Sequence, residues 1–182
     1  PYTTLFRSPL WFIVACADLV KKDNTQAFLD ERCGGRTVKD ILLSIGCCYA
    51  EGAGNGIRMD EASGLIHSPA CFTWMDTNYP ACTPRRGYCI EIQALWHAAL
   101  VFLASIDPGG RRNWAALAGT VSQSITDLFI LKKGYLADCL QADADTPAKS
   151  ARVDDALRPN QLLALTLRSE ERRVGKECRS RW

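Results

Sequence analysis

The chain has 182 residues, with 22 basic and 20 acidic side chains and a formal net charge of +2. This length suits one domain or part of one. No stretch reaches the roughly 18–20 consecutive apolar residues that a membrane-spanning helix needs, so the sequence gives no sign of a membrane partner.

The two ends of the chain differ in character from the rest. Residues 1–8 read PYTTLFRS, and residues 168–182 read RSEERRVGKECRSRW. Pro1–Ser8 can be encoded by an oligonucleotide whose reverse complement encodes Arg168–Gly175, and the string resembles a short-read sequencing adapter. We therefore interpret residues 1–8 and 168–182 as non-native, adapter-derived segments and residues 9–167 as the domain. Coding DNA in which the two ends are not reverse complements would contradict this interpretation.

Setting the ends aside changes the charge. They hold seven basic and three acidic residues, which leaves 15 basic and 17 acidic side chains and a net charge of −2 in residues 9–167. The positive balance thus belongs to the ends and does not favour a nucleic-acid partner. The basic Arg7 before an apolar run then no longer indicates a signal peptide.

Cysteine usage points to a reducing compartment. Eight cysteines remain without Cys178, and no C-x-x-C pair is present. Several lie in apolar helical surroundings, where cysteine behaves as a small hydrophobic residue. We expect reduced thiols in a cytoplasmic protein. With only His67 and His97 to join the cysteines, we expect no metal site and no cofactor.

Apolar spacing predicts helices along most of the chain. They span about 9–22, 25–31, 38–49, 90–106, 114–131 and 161 onward. The segment IRMDEASGLIHS interrupts them with two short alternating runs around a turn, which predicts a β-hairpin.

Two long loops separate the helices, over residues 68–89 and 132–160. The first holds three prolines and several aromatic residues, and loops of this length in compact domains are usually functional. With almost no strand elsewhere, the pattern predicts an all-α protein. Its helical hairpins would form a toroid, with the long loops on one face.

The first long loop carries a candidate acid. Asp76 lies between Trp74 and Tyr79, and a carboxyl group packed against aromatic rings tends to retain a proton near neutral pH. Such rings also suit the apolar faces of sugars. Glu91 follows at a helix start, where the helix dipole favours a carboxylate. From the residues alone, Asp76 could equally be a turn residue and Glu91 an ordinary N-terminal helix acid.

The second long loop ends in DDALRPNQ. This segment brings Asp154, Asp155, Arg158 and Asn160 to the start of a helix. The same residues could simply cap the helix, with Arg158 paired to one aspartate. Upstream, Tyr135 and Asp138 follow a glycine in KKGYLAD, which is also typical of a strand-like return of the chain.

Read together, five segments of the chain resemble one known family. They are GIRMD, SGLIHSP, FTWMDTNYPACTPRRGYCIEIQALW, GYLADCL and DDALRPNQLLAL, in that order. They resemble the C-terminal amylo-α-1,6-glucosidase domain of glycogen debranching enzymes over residues 9–167. The family implies an (α/α)6 barrel, of which this length would hold about half the ring, with a small β-hairpin in a loop. It also implies hydrolysis of α-1,6 branch-point glucose in an α-glucan such as glycogen or limit dextrin.

The resemblance implies roles for particular residues. Asp76 of the W-M-D motif takes the role of general acid. The residues implied to bind the sugar are Trp74, Arg85 and Glu91 in the pocket and Arg158 and Asn160 at its rim.

The mechanism implied is inverting, with one acid for the leaving oxygen and a second carboxylate for water. In the family this base follows the R-P-N helix. We therefore expect it beyond Leu167, and we expect the chain to be inactive as a fragment.

Three positions depart from the family pattern. Glycine is expected at Cys82, glutamate at Arg86 and proline at Cys89. Arg86 reverses a charge close to the implied site. These differences bear on activity more than on kinship.

Two other functions fit the same residues. A non-catalytic glucan-binding module would keep the aromatic loop without the base, and a glucoamylase-like or trehalase-like enzyme would share the helical barrel. Release of free glucose from a branched glucan, once the missing part is restored, would separate the hydrolase from the binding module.

Overall fold

The computed structural model describes residues 4–73 and 85–167. Its helices are α1 (Thr4–Asp23), α2 (Ala27–Asp30), α3 (Val38–Glu51), α4 (Ile90–Ile106), α5 (Trp114–Phe129) and α6 (Gln161–Leu167). Its strands are β1 (Arg32–Cys33), β2 (Arg36–Thr37), β3 (Arg58–Met59), β4 (Ile66–His67), β5 (Gly87–Cys89), β6 (Cys139–Gln141) and β7 (Arg152–Asp154). A short 3-10 helix covers Ala148–Ser150.

The six predicted helices are confirmed, with small changes at their ends. The first helix begins at Thr4, so Pro9 lies inside it and not at its start. A capping box forms the N-terminus of α3: the Asp40 amide donates to Thr37 Oγ1 (3.0 Å), and the Thr37 amide donates to Asp40 Oδ2 (3.2 Å). This reciprocal pair fixes the start of α3 at Val38.

Helix α4 is the centre of the fold. It packs against α1, α3, α5 and α6, and 13 of its 17 residues are buried, with Val101 and Ser105 exposed on one face. A helix that is apolar all round belongs in the interior of a domain. The few polar groups on α4 must therefore find partners inside the protein, because burying a polar group without one is costly.

Two polar side chains of α4 hold the predicted β-hairpin, which the structure confirms as β3 paired with β4. Gln93 Oε1 accepts from the Ile66 amide (2.8 Å), and Gln93 Nε2 donates to the Ile66 carbonyl (2.9 Å). Trp96 Nε1 donates to the Gly64 carbonyl (3.1 Å). The E-I-Q-A-L-W segment thus attaches the hairpin to the central helix.

The expectation of almost no strand outside the hairpin is wrong. Strand β6 pairs antiparallel with both β5 and β7, so the two long loops meet in one three-stranded sheet. The sequence does not reveal this sheet because β5 is buried along its whole length and shows no alternation. Its partner also lies about fifty residues away, and local patterns carry no information on such distant pairing. A further short pair joins β1 and β2 around Gly34 and Gly35.

Gly87 permits the close approach of β5 and β6. Its φ of +118° is a conformation that other residues rarely adopt. A side chain there would also run into the backbone of β6, because its Cβ would collide with the Leu140 carbonyl and lie 2.7 Å from the Ala142 nitrogen. Glycine at this position is therefore a requirement of the sheet.

Within residues 4–73 and 85–167, no helix is long and apolar enough to cross a membrane.

We predict that Gln93→Ala destabilises the domain by about 2–4 kcal/mol, because it leaves the buried amide and carbonyl of Ile66 without partners. Chemical denaturation of the purified chain measures this change. Gln123→Ala is the matched control, since Gln123 lies on the exposed surface of α5 and bonds only to Asp127. Equal, small effects of the two substitutions would contradict the anchoring role.

Candidate functional site

A buried ion pair lies at the start of α4. Arg85 Nη1 donates to Glu91 Oε1 and Arg85 Nη2 donates to Glu91 Oε2, each at 2.6 Å. Both side chains are almost fully buried, with residue exposures of 1%. Glu91 occupies the first turn of α4, and Arg85 lies two residues before β5. The planar guanidinium fits the carboxylate in a bidentate manner that adds geometric specificity to the pair.

Asp138 joins this pair to the second long loop. Its side chain is fully buried at the residue before β6. Oδ2 lies 2.8 Å from Arg85 Nε in an ion-pair contact and accepts a hydrogen bond from Arg158 Nη1 (2.7 Å). Oδ1 accepts from Asn160 Nδ2 (2.8 Å). One carboxylate therefore contacts two guanidinium groups and one amide.

The turn before α6 supplies two of the three partners of the Asp138 carboxylate, Arg158 and Asn160. Arg158 bridges Asp138 and Asp154, with Nη1 3.2 Å from Asp154 Oδ2. Although partial burial disfavours its charge, these two carboxylates raise the pKa of Arg158 above its usual range. The pKa of Asp154 is lowered: partial burial opposes this shift, but the Ala156 amide and Arg158 outweigh it. Both groups are therefore held in their charged forms.

Arg85 also connects the two sides of the first long loop. Its Nη1 donates to Thr73 Oγ1 (3.3 Å), and its Nη2 donates to the Asp138 carbonyl (3.1 Å). Thr73 and Arg85 are the residues that flank segment 74–84. Asp76 and Trp74, the predicted acid and its aromatic neighbour, lie in that segment and outside the described residues. The contact therefore joins the two points at which the segment enters and leaves the domain.

Burial shapes the electrostatics of the cluster. Burial raises the pKa of Glu91, against the opposing effect of Arg85. For Arg85, burial disfavours the charge, but Glu91, Asp138 and a nearby thiol outweigh it and raise the pKa above the usual range. A pair of this kind contributes little net stability, although removing one partner is costly.

The structure brings together four of the six predicted site residues. Arg85 and Glu91 contact each other, and Arg158 and Asn160 join Arg85 through Asp138. The residue at the centre of the cluster is Asp138, which the sequence offers only as a weak candidate, because an aspartate in KKGYLAD is also typical of a strand-like return. Its one useful signal was its place in a segment that resembles the family.

Asp155 of the second long loop and Arg86 of the first long loop lie apart from the cluster. Asp155 forms an exposed ion pair with Lys133 (2.6 Å) and accepts from Tyr135 through its carbonyl. Arg86, the position where glutamate is expected, lies on the surface and pairs with Asp143 (2.7 Å). The charge reversal at Arg86 thus has a local partner.

A shallow groove of about 330 Å³ runs beside the sheet. Its lining residues are Ala70, Arg86, Gln141, Ala142, Asp143 and Arg152. The groove is open to solvent and lies next to the flank of segment 74–84. Within the described parts of the chain, no group of three or more His, Cys, Asp or Glu side chains is arranged to hold a metal ion.

The carboxylates of the cluster are suited to holding groups in place. Each oxygen of Glu91 accepts a hydrogen bond from Arg85. Oδ2 of Asp138 accepts from Arg158 and Oδ1 from Asn160, both in the turn before α6. A general base must contact its water, and Glu91 and Asp138 are almost fully buried against arginine and asparagine donors.

Taken together, a helical domain with small sheets and a buried acid–arginine cluster beside an aromatic loop is compatible with the helical class of glycosidase domains. A family model described as Amylo-alpha-1,6-glucosidase matches residues 1–178. The chain therefore belongs to this family, whose members include the C-terminal domain of glycogen debranching enzymes. No curated protein matches the chain. The adapter origin of the two ends stays a prediction.

We predict that Glu91→Gln destabilises the domain by about 3–5 kcal/mol, because Arg85 is left as a buried charge without its bidentate partner. Thermal and denaturant unfolding measure the change. Glu51→Gln is the control: Glu51 and Arg112 form an exposed pair at 3.4 Å, so its loss changes stability by about 0–1 kcal/mol. A loss at Glu91 no larger than that at Glu51 would show that the buried pair does not organise this region.

Proposed function

We propose that the chain is part of a debranching-type glycoside hydrolase, which removes α-1,6-linked branch-point glucose from an α-glucan. The observation that supports this proposal most strongly is the match to the amylo-α-1,6-glucosidase family, which covers nearly the whole chain. The clustering of Arg85, Glu91, Arg158 and Asn160 beside segment 74–84 adds support from the geometry.

In this proposal Asp76 is the general acid. It protonates the glycosidic oxygen as the bond to the branch-point glucose breaks. Its neighbours in sequence are aromatic, and packing against aromatic rings would raise the pKa of its carboxyl so that it carries a proton near neutral pH. Trp74 supplies an apolar face on which a glucose ring can stack.

The buried cluster positions the loop that carries Asp76. Arg85 contacts Thr73 across the base of segment 74–84, and Glu91 and Asp138 fix the guanidinium from the other side. A general acid must be held within a fraction of an ångström of its productive position, and rigid surroundings supply that precision. In this proposal the buried ion pairs are retained because they fix the base of segment 74–84.

Arg158 and Asn160 form the rim of the proposed pocket. Both bind Asp138 from the turn before α6. Asp138 also contacts Arg85, which flanks segment 74–84, so the same carboxylate holds both parts of the proposed pocket. Arg158 keeps about a quarter of its side chain exposed and is the member of the cluster best placed to meet a sugar hydroxyl.

The second carboxylate lies outside residues 9–167 in this proposal. An inverting mechanism needs a base about 6.5–9.5 Å from the acid, with room for a water molecule between them. Glu91 and Asp138 are supporting residues in this proposal, because both are buried away from solvent and bound to arginine and asparagine donors. We further propose that the six helices are part of an (α/α)6 barrel, with the rest of the ring supplied by further helices.

We predict that the chain binds a maltooligosaccharide and that Trp74→Ala weakens this binding. Isothermal titration calorimetry measures it, because its signal does not depend on the tryptophan that the variant lacks. Trp11→Ala is the control, because Trp11 is exposed on α1. Absence of saturable binding, or equal binding by the two variants, would contradict a glucan site at segment 74–84.

We predict that Asp76→Asn, made in the longer protein that carries the second carboxylate, lowers kcat by about 10²–10⁴-fold with a small change in KM, since only proton transfer is lost. Release of free glucose from a branched glucan measures the rate. Binding without hydrolysis by the unsubstituted longer protein would favour the glucan-binding module.

A further inference from the structure

Two buried cysteines face each other across the sheet. Cys89 ends β5 and Cys139 begins β6, and they are direct partners in the antiparallel register. Their Sγ atoms lie 3.6 Å apart, and both residues are fully buried.

The register places the two thiols at a position suited to a covalent bond. Hydrogen bonds join Ile90 to Asp138 and Ala142 to Arg86 on either side of the pair. Because hydrogen-bonded and non-hydrogen-bonded pairs alternate along antiparallel strands, Cys89 and Cys139 form a non-hydrogen-bonded pair. The Cα atoms of such pairs are about 4.5 Å apart, which is within the range that a disulfide spans, near its lower end.

We propose that Cys89 and Cys139 are a disulfide site, closed by a peroxide, that covalently joins β5 to β6 beside the buried cluster. In the first step one thiolate attacks a peroxide oxygen, the O–O bond breaks, and a sulfenic acid and water form. In the second step the other thiol displaces the hydroxyl group as water and closes the S–S bond. The two sulfurs together lose two electrons, and one molecule of hydrogen peroxide gains them.

The surroundings of the pair set its reactivity. The neighbouring thiol and burial raise the pKa of Cys89 well above its usual range. The Cys139 thiol also contacts the Arg86 carbonyl (3.8 Å). The thiolate is therefore scarce, and the oxidant must enter through a local opening of the sheet. The exposed Cys33 and Cys48 react first, and the buried pair closes more slowly.

The bond would fix the positions of two cluster residues. Glu91 lies two residues after Cys89, and Asp138 directly precedes Cys139. A link between the strands would hold Glu91 and Asp138 at a fixed separation. The oxidised chain should therefore unfold at a higher temperature than the reduced chain, and dithiothreitol should reverse the difference.

Tryptic mapping tests the proposal directly. Cleavage after Arg86 and Lys133 gives peptides 87–111 and 134–149, each with a single cysteine. The chain is treated with hydrogen peroxide, its free thiols are blocked, and the digest is analysed by mass spectrometry. We expect the two peptides to be linked, with the loss of two hydrogen atoms, and the link to disappear with dithiothreitol.

Two comparisons make the result decisive. The same treatment in concentrated urea should give much less of this linkage, because unfolding removes the register. Cys139→Ala should abolish the linkage and the oxidation-dependent rise in melting temperature, whereas Cys16→Ala, at a buried cysteine on α1, should abolish neither. Cys89 and Cys139 remaining free after long exposure of the folded chain, or each linking to other cysteines, would overturn the proposal.

Discussion

The carboxylate of Asp138 is the contact on which the arrangement of the site depends. It is fully buried, and it contacts Arg85 from one long loop and Arg158 and Asn160 from the turn before α6. Two guanidinium groups so close together would repel each other without an anion between them. The fold supplies that anion at the residue directly before β6, and the three-stranded sheet brings β6 beside β5.

Around this contact, the central helix organises the rest of the domain. Helix α4 carries Glu91 in its first turn, where the helix dipole favours a carboxylate, and Gln93 and Trp96 follow to hold the β-hairpin. The polar residues of a single segment thus serve both the cluster and the hairpin. These partners explain why polar side chains are present on a helix that lies in the core.

Most of the helices could be predicted from the sequence, because apolar spacing and capping residues are local signals. Thr37 and Asp40, for example, mark the start of α3. The three-stranded sheet could not be predicted in the same way. Its strands are short, and β5 and β6 are joined only after the chain has passed through α4 and α5.

The candidate site shows the same division. The resemblance to the family named Arg85, Glu91, Arg158 and Asn160, and the structure brings them together. Residue spacing alone left each of them open to a simpler explanation. From the sequence alone a strand-like return explains Asp138 equally well, because its importance lies in its partners, which come from distant parts of the chain.

Double-mutant cycles can measure how strongly Asp138 anchors the turn before α6 in the buried cluster. Unfolding free energies are measured for Asp138→Asn combined with Arg158→Met and, separately, with Asn160→Ala. We expect coupling energies of about 0.5–3 kcal/mol in both cycles. Asp138→Asn combined with Arg112→Met is the control, and its coupling energy should be near zero because Arg112 pairs with Glu51. Additive effects in the first two cycles would contradict the anchoring role of Asp138.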